Sequence, residues 1–359
     1  MTNNLRVQAP QLRLLERLTN ACAVSGDEGA VRRIVLEEVK PLVDDLQVDA
    51  LGNVLATHRG NGRGPRLRVM LAAHMDEVGF MITAADGEGI FRFDTVGGID
   101  PRQLPGKPVL VGSEGIPGVI GAKPVHLTSP EERKRSPSLD AMRIDVGKEN
   151  AGKVKVGDRV TFATRFIRLG RRSVRAKALD DRLGVATLIE ILRHPPENVD
   201  ILAAFTVQEE VGLRGAGVAA HALEPDLAIA LDCTPAYDLP SWDGEKNIRY
   251  NTRLGAGPAI YVADAATLPD PRLIAHFRRT AEAEGIPYQL RQPGGGGTDA
   301  GAIHRRREGI PSLSLSVPGR YLHTAAGIVR VADWEHTLQL VHAALTRLPA
   351  DILAAPRGE

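Results

Sequence analysis

The stretch Ile201-Leu-Ala-Ala-Phe-Thr-Val-Gln-Glu-Glu-Val-Gly-Leu-Arg-Gly215 decides how this chain folds. Its first seven residues are apolar but for one threonine, the pattern of a strand buried on both faces of a parallel sheet. Two adjacent carboxylates, Glu209 and Glu210, stand where that strand ends, and a glycine turn leads into a helix from about Arg214. In open α/β sheets, ligands bind outside the carboxyl ends of the strands. Neighbouring residues of an extended segment point to opposite sides, so the pair can take two jobs. One carboxylate can hold a metal while the other moves a proton. Taken alone, the doublet fits a solvated acidic turn as well, and the rest of the chain must decide.

The same rhythm of apolar strand, polar end and helix recurs on both sides of this stretch. Arg66-Leu-Arg-Val-Met-Leu-Ala-Ala73 reads as a strand and ends in His74-Met-Asp-Glu-Val-Gly79. Val174-Arg-Ala-Lys-Ala-Leu-Asp-Asp-Arg-Leu-Gly184 leads into a helix to about Leu192, and Asp226-Leu-Ala-Ile-Ala-Leu-Asp232 is a further strand. A long helix is predicted over about 270–284, a strand at Pro311-Ser-Leu-Ser-Leu-Ser-Val317, and a closing helix over about 332–347. Upstream, apolar spacing predicts a helix over about 8–23 and a second one to about Val43, with Ser25 or Asp27 as its N-cap. Short strands follow near 45–49 and 53–58.

Between about Val78 and Arg168 the texture changes. Glycine and proline become frequent, and short alternating runs such as Phe80-Met-Ile82, Ile90-Phe-Arg-Phe93 and Pro108-Val-Leu-Val111 predict a small all-β unit. The polar piece Thr128-Ser-Pro-Glu-Glu-Arg-Lys-Arg-Ser-Pro137 reads as a mobile loop within it. The expected fold is α/β: a mixed, largely parallel sheet flanked by helices, with an inserted small β-barrel-like domain. The boundaries are 1–78 and 170–359 for the sheet domain and 79–169 for the insertion.

The chain's 359 residues suffice for a large core and two domains. Its 45 basic and 44 acidic residues nearly cancel, which argues against nucleic acid or a membrane surface as a partner. Two cysteines, Cys22 and Cys233, make no disulfide framework, and a cytoplasmic setting is expected. Met1-Thr-Asn-Asn-Leu-Arg6 has no basic patch followed by an apolar core, so no secretion signal is expected. No apolar run is long enough to cross a bilayer.

Four strand ends carry candidate metal ligands: His74, Asp180, Glu210 and Asp232; His323, just after the last core strand, is a fifth. Imidazole and carboxylate ligands suit zinc, cobalt or manganese, and the lack of cysteine among them argues against a structural zinc site. A carboxylate that bridges two ions holds them about 3.5–4 Å apart. Asp180, central in chain order and half of a doublet, is the choice of bridge. One ion would take His74 and Asp232, the other Glu210 and His323. Asp76, two residues beyond His74 and on the same side of an extended segment, is the expected orienting partner of that imidazole.

The phrases Ala73-His-Met-Asp-Glu-Val-Gly79, Lys177-Ala-Leu-Asp-Asp-Arg182, Val207-Gln-Glu-Glu-Val-Gly212, Leu231-Asp-Cys-Thr-Pro-Ala236, Gly297-Thr-Asp-Ala300 and Arg320-Tyr-Leu-His323 resemble the tetrahedral aminopeptidases. That metallopeptidase family includes bacterial glutamyl aminopeptidase and proteins that have carried endoglucanase or cellulase names. The resemblance covers almost the whole chain and extends to Val96-Gly-Gly-Ile99, Gly118-Val-Ile-Gly-Ala-Lys-Pro124 and Ile144-Asp-Val-Gly147 of the β unit. It implies two divalent ions per subunit, zinc first with cobalt or manganese as alternatives, held by His74, Asp180, Glu210, Asp232 and His323. It further implies Asp180 as bridge, Glu209 as general acid/base, peptide substrates, and a homododecamer built from dimers through the β domain. The chain departs from the family at Thr324-Ala-Ala-Gly327, where serine and a later acidic residue are usual.

Two other readings compete. A glycoside hydrolase of endoglucanase type needs two carboxylates about a sugar and no metal, yet only 4% of this chain is aromatic. A catalytically inactive assembly protein would keep the fold without need of an intact ligand set and Glu209. The glycines 294–297 follow Gln-Pro rather than a strand and lack the Lys-Ser/Thr of a nucleotide loop. Ser312, Ser314 and Ser316 lack the glycine elbow of a serine hydrolase.

Overall fold

A computed structural model describes residues 5–239 and 252–357. Met1-Thr-Asn-Asn4 of the segment tested for a secretion signal lies outside the described residues. Four parallel strands make the centre, in the spatial order Val199–Thr206, Leu67–His74, Leu227–Pro235, Ser312–Arg320. Antiparallel strands extend this sheet on both sides: Val54–His58 and Asp45–Val48 beyond the first, Gly327–Arg330, Ser173–Ala176 and Ile167–Leu169 beyond the last. The sheet is thus mixed, with the parallel part at its heart. Ala259–Tyr261 pairs antiparallel with the Ser312–Arg320 strand and parallel with Gln289–Arg291.

The central strands are buried on both faces, which is why their sequences run apolar rather than alternate. Val69, Leu71, Ala73, Ile201, Ala203 and Phe205 pack on one side into a core shared with the helices Ala9–Asn20, Gly29–Val39, Leu179–Arg193, Pro271–Glu284 and Val331–Thr346. Met70, Ala72, Leu202 and Ala204, one residue out of phase, pack on the other side with the helices Arg214–Leu223 and Ala300–Ile303. Each fully buried Leu, Ile, Val or Phe contributes about 1.5–3 kcal/mol. Registry then fixes the functional edge. Thr206 pairs with His74, and Asp232 lies level with Ser316 on the next strand.

From Gly79 the chain enters a closed antiparallel barrel, ordered Gly79–Gly87, Ile90–Val96, Arg143–Asp145, Ile116–Gly121, Pro108–Val111, Arg159–Phe162. It has its own core. Phe80 meets Phe93 and Phe162 edge to face, each at 5.3 Å between centroids. No helix among the described residues is long and apolar enough to cross a membrane.

One local expectation fails. The second helix begins at Gly29 with Glu28 at its cap and no capping side chain. Ser25 is unavailable because its hydroxyl donates to Asp76 Oδ2 at 2.6 Å. Within the polar piece near 128–137, Pro130–Arg133 forms a short helix closed by a capping box between Ser129 and Glu132.

Candidate metal centre

His74 is the last residue of its strand, and Glu209 and Glu210 follow the neighbouring one by a few residues. The chain turns sharply between them: Gln208 and Leu213 have φ of 56°, and the amides of Gly212 and Leu213 donate to the Glu209 carbonyl at 2.9 and 2.8 Å. Asp76 holds this turn against the His74 strand. Its carboxylate, with 0% of the residue exposed, accepts the backbone N–H of Glu209 at 3.0 Å and of Glu210 at 3.2 Å, besides the Ser25 hydroxyl. The His74 Nδ1 lies 3.2 Å from the Asp76 carbonyl oxygen and 3.4 Å from its Oδ1. The other ring nitrogen is thereby left to face the cluster.

Asp180 sits between two imidazoles. Its Oδ1 is 3.2 Å from His74 Nε2 and its Oδ2 is 3.5 Å from His323 Nε2. Each imidazole has a second carboxylate at hand: Asp232 Oδ1 lies 3.9 Å from His74 Nε2, and Glu210 Oε2 lies 3.3 Å from His323 Nε2. Glu209 Oε2 is 4.0 Å from His74 Nε2. His323 has φ of 55° and is fixed from the barrel side, its Nδ1 2.9 Å from the Gly98 carbonyl and its own carbonyl accepting from Gln103 Nε2 at 3.0 Å. The seven residues singled out in sequence (His74, Asp76, Asp180, Glu209, Glu210, Asp232 and His323) thus converge.

The structure adds three that sequence reasoning missed. Asp181 stands within ligating reach of His74 and Asp232, and Cys233 within reach of Asp180 and Asp181. Asp181 is spent locally, accepting from the His74 amide at 3.2 Å and the Gly184 amide at 2.9 Å, while the Cys233 thiol donates to the Leu179 carbonyl at 3.2 Å. Gly184 is required there, because a Cβ would lie 2.3 Å from Asp181 Oδ2. Asp299, buried, accepts from the Thr206 hydroxyl. The doublet Asp180-Asp181 and the phrase Gly297-Thr-Asp-Ala300 were visible as signals, but the direction of each side chain was not.

Charge explains what such a cluster needs. Asp76, Asp180, Asp181, Glu209, Glu210, Asp232 and Asp299 crowd two imidazoles, and the nearby Lys177 and Arg182 are committed to Glu77. Burial pushes the Glu209, Asp181 and Asp232 carboxyls up, and their anionic neighbours push further. Burial likewise lifts Glu210 to about 7. The opposite happens to His323, where Asp180 and Glu210 overcome burial and raise the imidazole to about 10. Such a set calls for positive charge, and its donors, imidazole nitrogen and carboxylate oxygen, suit zinc, cobalt or manganese. The cluster opens into a cleft of about 600 Å³, also lined by Leu213, Tyr261, Arg291 and the glycines 295–297.

Residues 52–340 match the family model described as M42 glutamyl aminopeptidase. The chain is 33% identical to the lysyl aminopeptidase of Pyrococcus furiosus, over 93% of this chain and 96% of that protein. It is 31% identical to the glutamyl aminopeptidase of Lactococcus lactis, over 95% and 97%. Among solved structures, it superposes on the TET1 peptidase of Pyrococcus horikoshii, which can assemble into a tetrahedron or a large octahedral shell, with TM-score 0.81, 36% identity and coverage of 94% and 100%. An endoglucanase structure from Thermotoga maritima is also similar, with TM-score 0.75, 33% identity and coverage of 92% and 95%.

Proposed function

The chain belongs to the M42 glutamyl aminopeptidase family, and from that premise we propose that it hydrolyses the N-terminal residue from peptides at a centre of two divalent ions. The observation that carries this reading is the position of Asp180, one oxygen turned to each of two imidazoles, each imidazole with a carboxylate of its own. His74 and Asp232 would hold one ion, His323 and Glu210 the other, with Asp180 shared and zinc the first choice. Ions held there supply Lewis acidity toward the scissile carbonyl and bring the pKa of a water toward about 7.

The remaining steps belong to the chain's own groups. Glu209 takes a proton from the attacking water and returns it to the leaving amine, a role suited to a carboxylate raised by burial and by Asp299 and Glu210. Asp76 keeps the His74 ring in register and, through two backbone N–H groups, keeps Glu209 aimed at the cleft. We further read residues 79–169, whose last strand Ile167–Leu169 already pairs back into the main sheet, as an inserted domain that carries the oligomer contacts of a dodecamer built from dimers. A similar solved structure described as a dodecamer supports the assembly, and Val125, Leu127 and Val156, which are 64%, 64% and 63% exposed, support a contact on the barrel segment.

Metal analysis with chelation tests the reading. The loaded protein should carry two ions per chain and release N-terminal residues from aminoacyl chromogenic substrates. Removal of the ions should abolish that activity and readdition restore it. Peptidase activity that survives complete stripping, or cellulose hydrolysis indifferent to it, would sink the proposal.

A further inference from the structure

One edge of the main sheet carries charge that the proposed chemistry does not use. From Arg159 to Leu179 the chain holds six arginines, one lysine and no acidic residue, although the chain as a whole is nearly balanced. Arg159 is committed to the Ser25 and Gly157 carbonyls and Lys177 to Glu77. The other five, Arg165, Arg168, Arg171, Arg172 and Arg175, stand on or beside the hairpin of Ile167–Leu169 and Ser173–Ala176. None of the five is in an ion pair with a described carboxylate. Arg165, Arg168, Arg171 and Arg172 are exposed; Arg175 is half-buried and gives one N–H to the Arg165 carbonyl. Ile167–Leu169 is the last strand of the sheet. It pairs with Ser173–Ala176 on one side, and no described strand pairs with the other, so the outward backbone groups stand open to a further strand. Ile167 and Leu169, two residues apart and so on one face, are 41% and 38% exposed.

Open backbone groups, exposed apolar side chains and a one-sided excess of arginine together fit an extended chain of opposite charge. We propose that this edge binds an extended acidic peptide segment of a partner, which adds to the sheet as a further strand beside Ile167–Leu169. In such an addition main-chain hydrogen bonds supply affinity and alternate side chains supply selection. Glutamates or aspartates of the incoming strand meet the guanidinium groups in charge-assisted pairs. Its apolar residues cover Ile167 and Leu169. A nucleic acid would engage the arginines but neither the strand edge nor the apolar pair. A second copy offering the same edge would set arginine against arginine, the kind of repulsion by which natural edges avoid pairing with themselves. A basic peptide is rejected for the same reason. The inference is independent of the aminopeptidase reading, because no residue of the proposed centre takes part.

The probe is an acetylated, fluorescein-labelled peptide of alternating glutamate and valine, titrated with the metal-loaded protein and read by fluorescence anisotropy. Its blocked N-terminus keeps it from being consumed. It should bind, and bind less tightly as salt is raised, because exposed charges are screened. Arg168→Glu combined with Arg171→Glu should weaken binding by about tenfold or more, whereas Arg168→Lys combined with Arg171→Lys should keep most of it. The matching lysine–valine peptide should not bind. Hydrogen exchange of residues 167–169 should slow when the glutamate peptide is added. Turnover and mass of the charge-reversed variant, measured alongside, report that it is folded. Absence of binding at low salt, or binding that survives charge reversal in the folded variant, overturns the inference: the arginines then only guard the edge. Equal binding of the lysine–valine peptide overturns it as well. Tighter binding of a single-stranded oligonucleotide, abolished by the same reversal, would assign the arginines to nucleic acid instead. Binding of the glutamate peptide without protection of 167–169 leaves a charge contact and overturns the strand addition. Protection that rises with protein concentration in the absence of peptide would place a second copy on the edge and exclude the proposed occupant.

Discussion

Glu209 and Glu210 share a backbone and an anchor, Asp76, yet their side chains end in different surroundings. Glu210 Oε2 lies 3.3 Å from the imidazole of His323, while Glu209 Oε2 stands 4.0 Å from that of His74 and opens on the cleft. Glu210→Gln should therefore lower metal content, because it replaces a charged oxygen donor. Glu209→Gln should keep both ions and lose about 10²–10⁴-fold in kcat, the usual worth of a general acid–base group. Metal analysis and steady-state kinetics on the two variants decide this, and the reverse pattern would exchange the two roles. Much of this centre was legible because its members stand at strand ends, and strand ends follow from apolar runs. Asp181, Asp299 and Cys233 were not, because their directions depend on non-helical backbone at Asp180 and Asp181 and on a loop folded back from far along the chain. Arg291 was hidden for the same reason, since nothing in its local sequence says that it shares a cavity with His74.

The elements that bear these residues are locked by one buried carboxylate. Glu77 accepts from Lys177 Nζ at 2.8 Å, from Arg182 Nη2 at 3.2 Å, from the Ala23 amide at 2.9 Å and from the Thr161 hydroxyl at 2.9 Å. It joins the loop after the first helix, the His74 strand, the last barrel strand and the segment that carries Asp180. Glu77→Gln leaves two buried cations short of their counter-charge and should cost about 3–5 kcal/mol, measured by denaturant unfolding. Burial pushes the Glu77 carboxyl up, but Lys177 and Arg182 outweigh it and hold it below its ordinary value. A depressed carboxylate stabilises fully above its unfolded pKa of about 4.3 and loses that contribution as pH falls through the lower folded value. The gap between wild type and Glu77→Gln should accordingly be constant near neutrality and shrink in acid; a gap that widens there would contradict the ion pair. At this scale the parallel strands were readable, since burial on both faces leaves an unmistakable apolar run. The start of the second helix was not, because Ser25 gives its hydroxyl to Asp76, a tertiary bond that overrides a local cap.

For the whole molecule, the barrel and the sheet meet at the centre. The Gly98 carbonyl and Gln103 side chain hold His323 from the barrel segment, so the candidate ligands come from the sheet part and one of them is positioned by the barrel. The outside of the barrel segment is where assembly is expected. Val125 and Leu127 share one short turn and are each 64% exposed, and Val156 is 63% exposed. Covering apolar surface is worth about 25 cal/mol per Å², and contacts of this kind repeated by symmetry can hold a closed shell. Light scattering of the metal-loaded protein should give a mass twelve times that of the chain. Val125→Asp combined with Leu127→Asp places two charges where an apolar contact would close, and should shift the mass to smaller species. The residues of the proposed centre all come from one chain, so metal content and turnover of a small chromogenic substrate should survive the dissociation. A monomeric wild type under metal-replete conditions would refute the assembly. A double variant that stays twelvefold would leave the assembly standing and remove this turn from its contacts.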